Sequence, residues 1–208
     1  MLEKFRLTRL GMYSILGVFI FSLFLRFYNL GARSVHHDES LHGFFSWQFS
    51  NGSGYDHNPL MHGMFWFIAN GSVFFLFGDN DFTLRLLSAI FGTILVLTPI
   101  LLKDRIGLLA SLILSIIFAI SPHLLYFSRF ARNDIIMAVW TMGLLIFFWK
   151  YIETSRMSNL YILVIFLALS FVTKETSYIT VFIFGIWLLF KSRSDLYRVV
   201  FRRKGFKG

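Results

Sequence analysis

Long apolar runs separated by short charged segments dominate this sequence, and they constrain the fold more than any motif does. Residues 11–30, 82–102, 106–123, 134–151, 160–173 and 176–190 each approach the length that crosses a hydrocarbon core of roughly 30 Å. The chain of 208 residues is 56% hydrophobic, carries 27 phenylalanines and has a mean hydropathy of +0.66. A water-facing surface this small cannot cover all of these runs, so lipid must be the solvent for much of the chain. The sequence therefore predicts an all-α, polytopic membrane protein with about six transmembrane helices.

The first run follows a basic start, as in a secretory leader. Its length of about 20 residues exceeds an ordinary h-region of about 7–15, and no small-x-small site follows, so it reads as a retained helix. Cysteine is absent, which excludes disulfides, thiolate metal sites and cysteine nucleophiles. The net charge of +9 would suggest nucleic acid in a soluble protein. Here the basic residues lie between and after apolar runs, which points to membrane orientation and to no nucleic-acid partner.

Residues 60–77 are the ambiguous stretch. They mix His62, Gly63, Asn70, Gly71 and Ser72 with aromatics, a pattern suited to an interface. If they lie flat, residues 1–10, 103–105, 150–159 and 191–208 face the cytoplasm together. Those segments hold fourteen of the twenty lysines and arginines, as the positive-inside rule expects. If they cross, every later loop flips and the basic tail faces outward, so the flat reading is preferred. Residues 1–208 then form one transmembrane module with a cytoplasmic start (1–10), a long outer loop (31–81) and a basic cytoplasmic tail (191–208). Within the outer loop, residues 40–49 suit a short interfacial helix with Asp38 or Ser40 as N-cap, and Asn51-Gly52-Ser53-Gly54 suits a turn. No internal repeat is evident.

This orientation gathers the acidic and basic clusters outside. His36-His37-Asp38-Glu39 could supply a general base or hold a divalent cation, or could be a solvated helix start. Asp56, His57 and His62 form a second candidate metal set, with a proline-initiated turn as the alternative. Arg129, Arg132 and Asp134 could clamp a phosphate, or Arg132 could simply pair with Asp134 as an interfacial anchor. Lys174 and Glu175, between two apolar runs, need pairing or a wet cavity, and a plain tight turn is the alternative. Arg26, inside the first run, is expected to snorkel outward or pair with a loop carboxylate. Gly78-Asp79-Asn80-Asp81, ahead of Arg85, reads as a turn and N-cap.

In order and spacing, HHDESLHG at 36–43, YDHNPLMHG at 55–63, LFGDNDFTLRLLSAIFGT at 76–93, SPHLLYFSRFARND at 121–134 and FVTKE at 171–175 resemble the GT-C superfamily of membrane glycosyltransferases. The likeness is to the protein O-mannosyltransferase and aminoarabinose transferase branch, and within it to the prokaryotic flippase activity-associated proteins. The resemblance implies a GT-C-like N-terminal module in the cytoplasmic membrane, with its active face outward. The implied activity transfers a sugar from a polyprenyl-phosphate-linked donor to an acceptor. Asp38 would be the catalytic base with Glu39 beside it. Arg129, Arg132, Asp134, Lys174 and Glu175 would line the lipid-phosphate site. Asp56, with His57 and His62, would be the place for a divalent metal ion, the one cofactor to consider, although the Glu-Lys-Pro-Pro pattern of the aminoarabinose branch is missing. Relatives carry further spans and a second outer loop, so the chain is expected to be truncated relative to the family, with a partner subunit supplying the missing C-terminal part. Membrane lipids are the other expected partners. The rival reading is a non-catalytic membrane protein that assists the flipping or handling of lipid-linked oligosaccharide.

Overall fold

The computed structural model describes residues 9–55 and 62–202, and the described residues are helical with no strand among them. Helix α1 (Arg9–Phe27) shows the membrane character most clearly. Its buried stripe is Gly11, Val18, Ser22 and Arg26, whereas Met12, Tyr13, Leu16, Ile20 and Phe24 are exposed. Small and polar residues face protein and large apolar ones face outward, the arrangement lipid selects and water forbids.

Two short helices occupy the expected outer loop. Helix α2 (His37–Ser50) begins earlier than residue 40, and its N-cap is His36, not Asp38 or Ser40. His36 Nδ1 accepts from the Asp38 N–H, and Glu39 reaches back to the His36 N–H at 3.1 Å, closing a capping box. Helix α3 (Phe65–Phe77) starts later than residue 60 and buries Trp66, Phe67, Asn70, Gly71 and Phe74. Thirteen residues at about 1.5 Å rise each cannot cross a bilayer alone. Nor does α3 simply lie on a surface, because it packs between α2 and α4 and forms part of the core.

Helix α4 (Asp81–Leu97) starts at Asn80, whose side chain accepts from the N–H groups of Phe82 and Thr83. It continues through a 3-10 stretch, Thr98–Leu102, into the short α5 (Lys103–Ile106), giving one apolar rod from Asp81 to Ile106. Helices α6 (Leu108–Ile120) and α7 (Pro122–Ser128) meet at a 63° bend, where a single span over 106–123 was expected. Pro122 cannot donate to the preceding turn, which explains the break there. Helices α8 (Asp134–Thr154) and α9 (Met157–Phe171) pack against each other. The core joins Trp66 and Phe67 of α3, Leu84, Leu87 and Leu95 of α4, and Ile135, Ile136 and Trp140 of α8. Phe65, Phe91 and Trp140 meet edge-to-face with centroids 5.1–6.0 Å apart.

Three helices among the described residues are long and apolar enough to cross a membrane: α1, the rod Asp81–Ile106, and α8. The bent α6–α7 pair makes a fourth if counted as one span. The expected six is therefore not reached. Helix α9 has 15 residues, or about 22 Å, and the apolar stretch Ser177–Lys191 is also short. The chain divides into two compact units, residues 1–174 and 175–208. The second contains α10 (Ser177–Arg202), opened by an N–H bond from Tyr178 to the Glu175 carbonyl.

Candidate functional site

One end of the first unit collects the starts of α2, α4 and α8 and the ends of α1, α7 and α9. Chains of ion pairs fasten them together. Helix starts carry partial positive charge, which favours Asp38, Asp81 and Asp134 in the first turns of α2, α4 and α8.

The deepest element is Glu39, fully buried. Its carboxylate takes two bonds from Arg85, Nε to Oε1 at 2.9 Å and Nη2 to Oε2 at 3.0 Å. It also accepts from Arg33 at 2.8 Å, the Ala131 N–H at 3.0 Å and the His36 N–H at 3.1 Å. Burial alone would raise the Glu39 carboxyl, but these hydrogen bonds, chiefly from Arg85, outweigh it and hold the group below the usual carboxylate range. Arg85 spends its remaining donors on the carbonyls of Leu30, Arg33 and Ser34. Glu39 and Arg85 thus pin the link between α1 and α2 to α4 and to the segment before α8. Sequence reasoning did not single out Arg33 or treat Arg85 as more than part of a turn. A cation inside an apolar run, with Asp81 at the helix start as the nearest charge in sequence, was the signal, because such a residue must be paired.

Above this pair runs a partly exposed chain of alternating charge. Arg132 Nη1 donates to Asp38 Oδ2 at 3.0 Å, Arg132 Nε lies 3.4 Å from Asp134 Oδ2, and Lys174 Nζ donates to Asp134 Oδ1 at 2.6 Å. Side-chain exposures of 37%, 33%, 32% and 13% for Asp38, Arg132, Asp134 and Lys174 leave the first three open to a ligand. Four residues from three sequence clusters are therefore brought together. Exposed pairs hold each other by about 0–1 kcal/mol, whereas breaking a buried pair costs about 3–5 kcal/mol. Asp38 can consequently exchange partners, and Glu39 cannot.

His42 lies beneath Asp38. Its ring donates from Nδ1 to the Asp38 carbonyl at 2.8 Å and meets Trp66 edge-on at 5.8 Å. Burial pushes its pKa down, with the Asp38 carbonyl bond opposing and the Arg132 charge reinforcing the shift. Its Nε2, and both amide atoms of buried Asn133, have no hydrogen-bond partner among the described residues.

Other candidates sit elsewhere. Arg129 donates to the carbonyls of Leu25, Arg26 and Asn29 and so caps the end of α1. Arg26 does not snorkel or meet a carboxylate. It is fully buried, donating to Ser22 Oγ at 3.1 Å and the Phe118 carbonyl at 3.3 Å. Glu175 opens the second unit. His62 has φ +65°, and its neighbour Gly63 bonds the Thr173 carbonyl, while Phe65 bonds that of Val172. Asp56 and His57 lie outside the described residues. Among the described residues no three histidine or acidic side chains group as metal ligands, and Asp38 and Asp134 already face Arg132 and Lys174. Of the Asp56, His57 and His62 set only His62 falls among the described residues, and no step is assigned to a cation.

A family profile described as dolichyl-phosphate-mannose-protein mannosyltransferase matches residues 56–201. Arg129, Arg132, Asp134 and Lys174 fall inside the match, and Asp38 and Glu39 precede it. No curated protein and no solved structure matches the chain.

Proposed function

Because the chain belongs to the dolichyl-phosphate-mannose-protein mannosyltransferase family, we propose that it transfers a sugar from a polyprenyl-phosphate carrier to an acceptor hydroxyl at the outer face of the cytoplasmic membrane. The observation that carries this reading is the partly exposed sequence Asp38–Arg132–Asp134–Lys174. It offers a carboxylate able to take a proton beside two cations able to take phosphate charge.

In the proposed step, the acceptor oxygen attacks the anomeric carbon and loses its proton to Asp38. The bond from that carbon to the phosphate oxygen breaks, and polyprenyl phosphate leaves with the electron pair. Arg132 and Lys174 then stabilise the charge on the leaving phosphate. Asp134 holds both cations near Asp38 in the resting state, and Glu39 positions α2 so that Asp38 faces them. Mannose, the sugar in the family's description, is the first donor to test.

Membranes containing the full chain are supplied with polyprenyl-phosphate mannose carrying a labelled sugar, and release of free polyprenyl phosphate is followed. Release above that of membranes lacking the protein supports the reading. Binding of the donor without release would overturn it and favour a non-catalytic role in handling lipid-linked sugars.

A further inference from the structure

Two cavities lie along the seam where α1 and the segment after it face the bent α6–α7 pair. The lower is an apolar groove of about 480 Å³, whose walls include Gly17, Val18, Phe21, Leu109, Leu112 and Ile113. The upper is a cleft of about 390 Å³ lined by Leu30, Arg33, Pro122, Leu125, Tyr126 and Arg129. The α6–α7 bend at Pro122 separates them and turns α7 over the end of α1.

Charge in the upper cleft is unbalanced. Arg26, Arg33, Arg85 and Arg129 cluster around the end of α1, and Glu39 is the one carboxylate bonded to any of them among the described residues. Arg129 feels this crowding: burial first, then the like charges of Arg33 and Arg85, lower its pKa. Arg33 is held with its guanidinium 5.6 Å from the Tyr126 ring centre and 5.2 Å from that of Phe130, one edge on Glu39 and 44% of the side chain exposed. Tyr28 and Tyr126 are both exposed at this level, and exposed tyrosines at helix ends mark headgroup depth.

We propose that this seam binds an anionic bilayer phospholipid, its phosphate between Arg33 and Arg129 and an acyl chain in the groove beside Gly17. The ligand is distinct from the sugar donor, since Arg129 and Arg33 are engaged by α1 carbonyls and Glu39 and not by the Asp38–Lys174 chain. Lipid is favoured over a soluble phosphate because an apolar groove between α1 and α6 lies nearer the start of α1 than the cationic cleft, which follows its end. The bound phosphate offsets the arginine excess and ties α1 to α7, bracing the end of α1 from which the link to α2 departs.

Native mass spectrometry of the full chain in detergent tests this, with phosphatidylglycerol, phosphatidylcholine, polyprenyl phosphate and inorganic phosphate as probes. Each arginine near a lipid phosphate contributes roughly fivefold, so phosphatidylglycerol should be retained roughly 25-fold better than phosphatidylcholine. Arg33→Gln, which keeps an amide for Glu39, should cut that preference roughly fivefold. Gly17→Trp fills the groove at a position where an added Cβ meets nothing within 4 Å. It should weaken phosphatidylglycerol at least about tenfold without changing the melting temperature of the protein stripped of lipid. Equal retention of the two phospholipids, or indifference to Gly17→Trp, would overturn the proposal. So would displacement of phosphatidylglycerol by inorganic phosphate, or by polyprenyl phosphate at equal concentration.

Discussion

Replacing Glu39 by Gln keeps its shape and removes its charge, and the structure fixes what this should cost. Glu39 is fully buried and accepts five hydrogen bonds, two from Arg85, one from Arg33 and two from backbone N–H groups. Glutamine retains one acceptor and adds a donor that faces only donors, while Arg85, 1% exposed, becomes an unbalanced buried cation. Breaking such a pair costs about 3–5 kcal/mol. For a domain of this size that is a drop of about 6–20 °C in melting temperature, read by thermal denaturation of the detergent-purified protein. Arg85→Met combined with Glu39→Gln should recover part of the loss, because no charge is then stranded. The pH dependence adds a second readout. The folded Glu39 pKa lies below its ordinary value of 4.5, so its contribution is complete above that value and is lost as pH falls through the lowered folded one. The acid limb of the wild-type melting curve should therefore flatten in Glu39→Gln. A variant that melts within 2 °C of wild type, roughly 1 kcal/mol, would refute the view of Glu39 as a buried clamp.

Other consequences are as direct. Gly63→Ala would drive a Cβ into the Val172 carbonyl and should cost at least about 1–3 kcal/mol, whereas Gly17→Ala should melt within about 0.5 kcal/mol of wild type. His42 has a folded pKa below 6.5; its neutral form is favoured, so stability should be full above 6.5 and fall as pH drops through the lowered value. His42→Gln should reduce that fall, measured by melting between pH 7.5 and 5. Arg132→Gln or Lys174→Met should lower the rate constant for sugar transfer by about 10²–10³-fold, while Arg129→Gln should mainly lower the melting temperature by uncapping α1.

Much of the architecture was legible because its cause is local. Apolar runs, a basic start and tail, and Asn80 ahead of an apolar run are readable one segment at a time. Charge siding placed Asp38, Glu39, Arg129, Arg132, Asp134, Lys174 and Glu175 on one face, and ion pairs join four of them, Asp38, Arg132, Asp134 and Lys174. Sequence reasoning failed where partners are distant in sequence. His36 displaced Asp38 as the N-cap because Glu39, held by Arg85 46 residues away, closes the box from inside. Arg129 was grouped with Arg132 and Asp134, yet it bonds the carbonyls ending α1, about 100 residues earlier, and not the Asp38–Lys174 chain. Arg26 was expected to snorkel outward or pair with a loop carboxylate and is instead buried against Ser22 and the Phe118 carbonyl, an option visible only once α6 is placed beside α1. The span count fell short because Pro122 breaks one apolar run into α6 and α7 and α9 stops at Phe171 after 15 residues, breaks that hydropathy averages over.

The central claim is that Asp38 removes the acceptor proton during transfer from a polyprenyl-phosphate sugar. The most direct test compares wild type and Asp38→Asn, at matched levels in membranes, for release of polyprenyl phosphate from polyprenyl-phosphate mannose in the presence of acceptor. The partly exposed Asp38–Arg132 pair contributes little to stability, so Asp38→Asn should melt like wild type and yet release about 10²–10⁴-fold more slowly. An Asp38→Asn protein that releases at the wild-type rate would contradict the account.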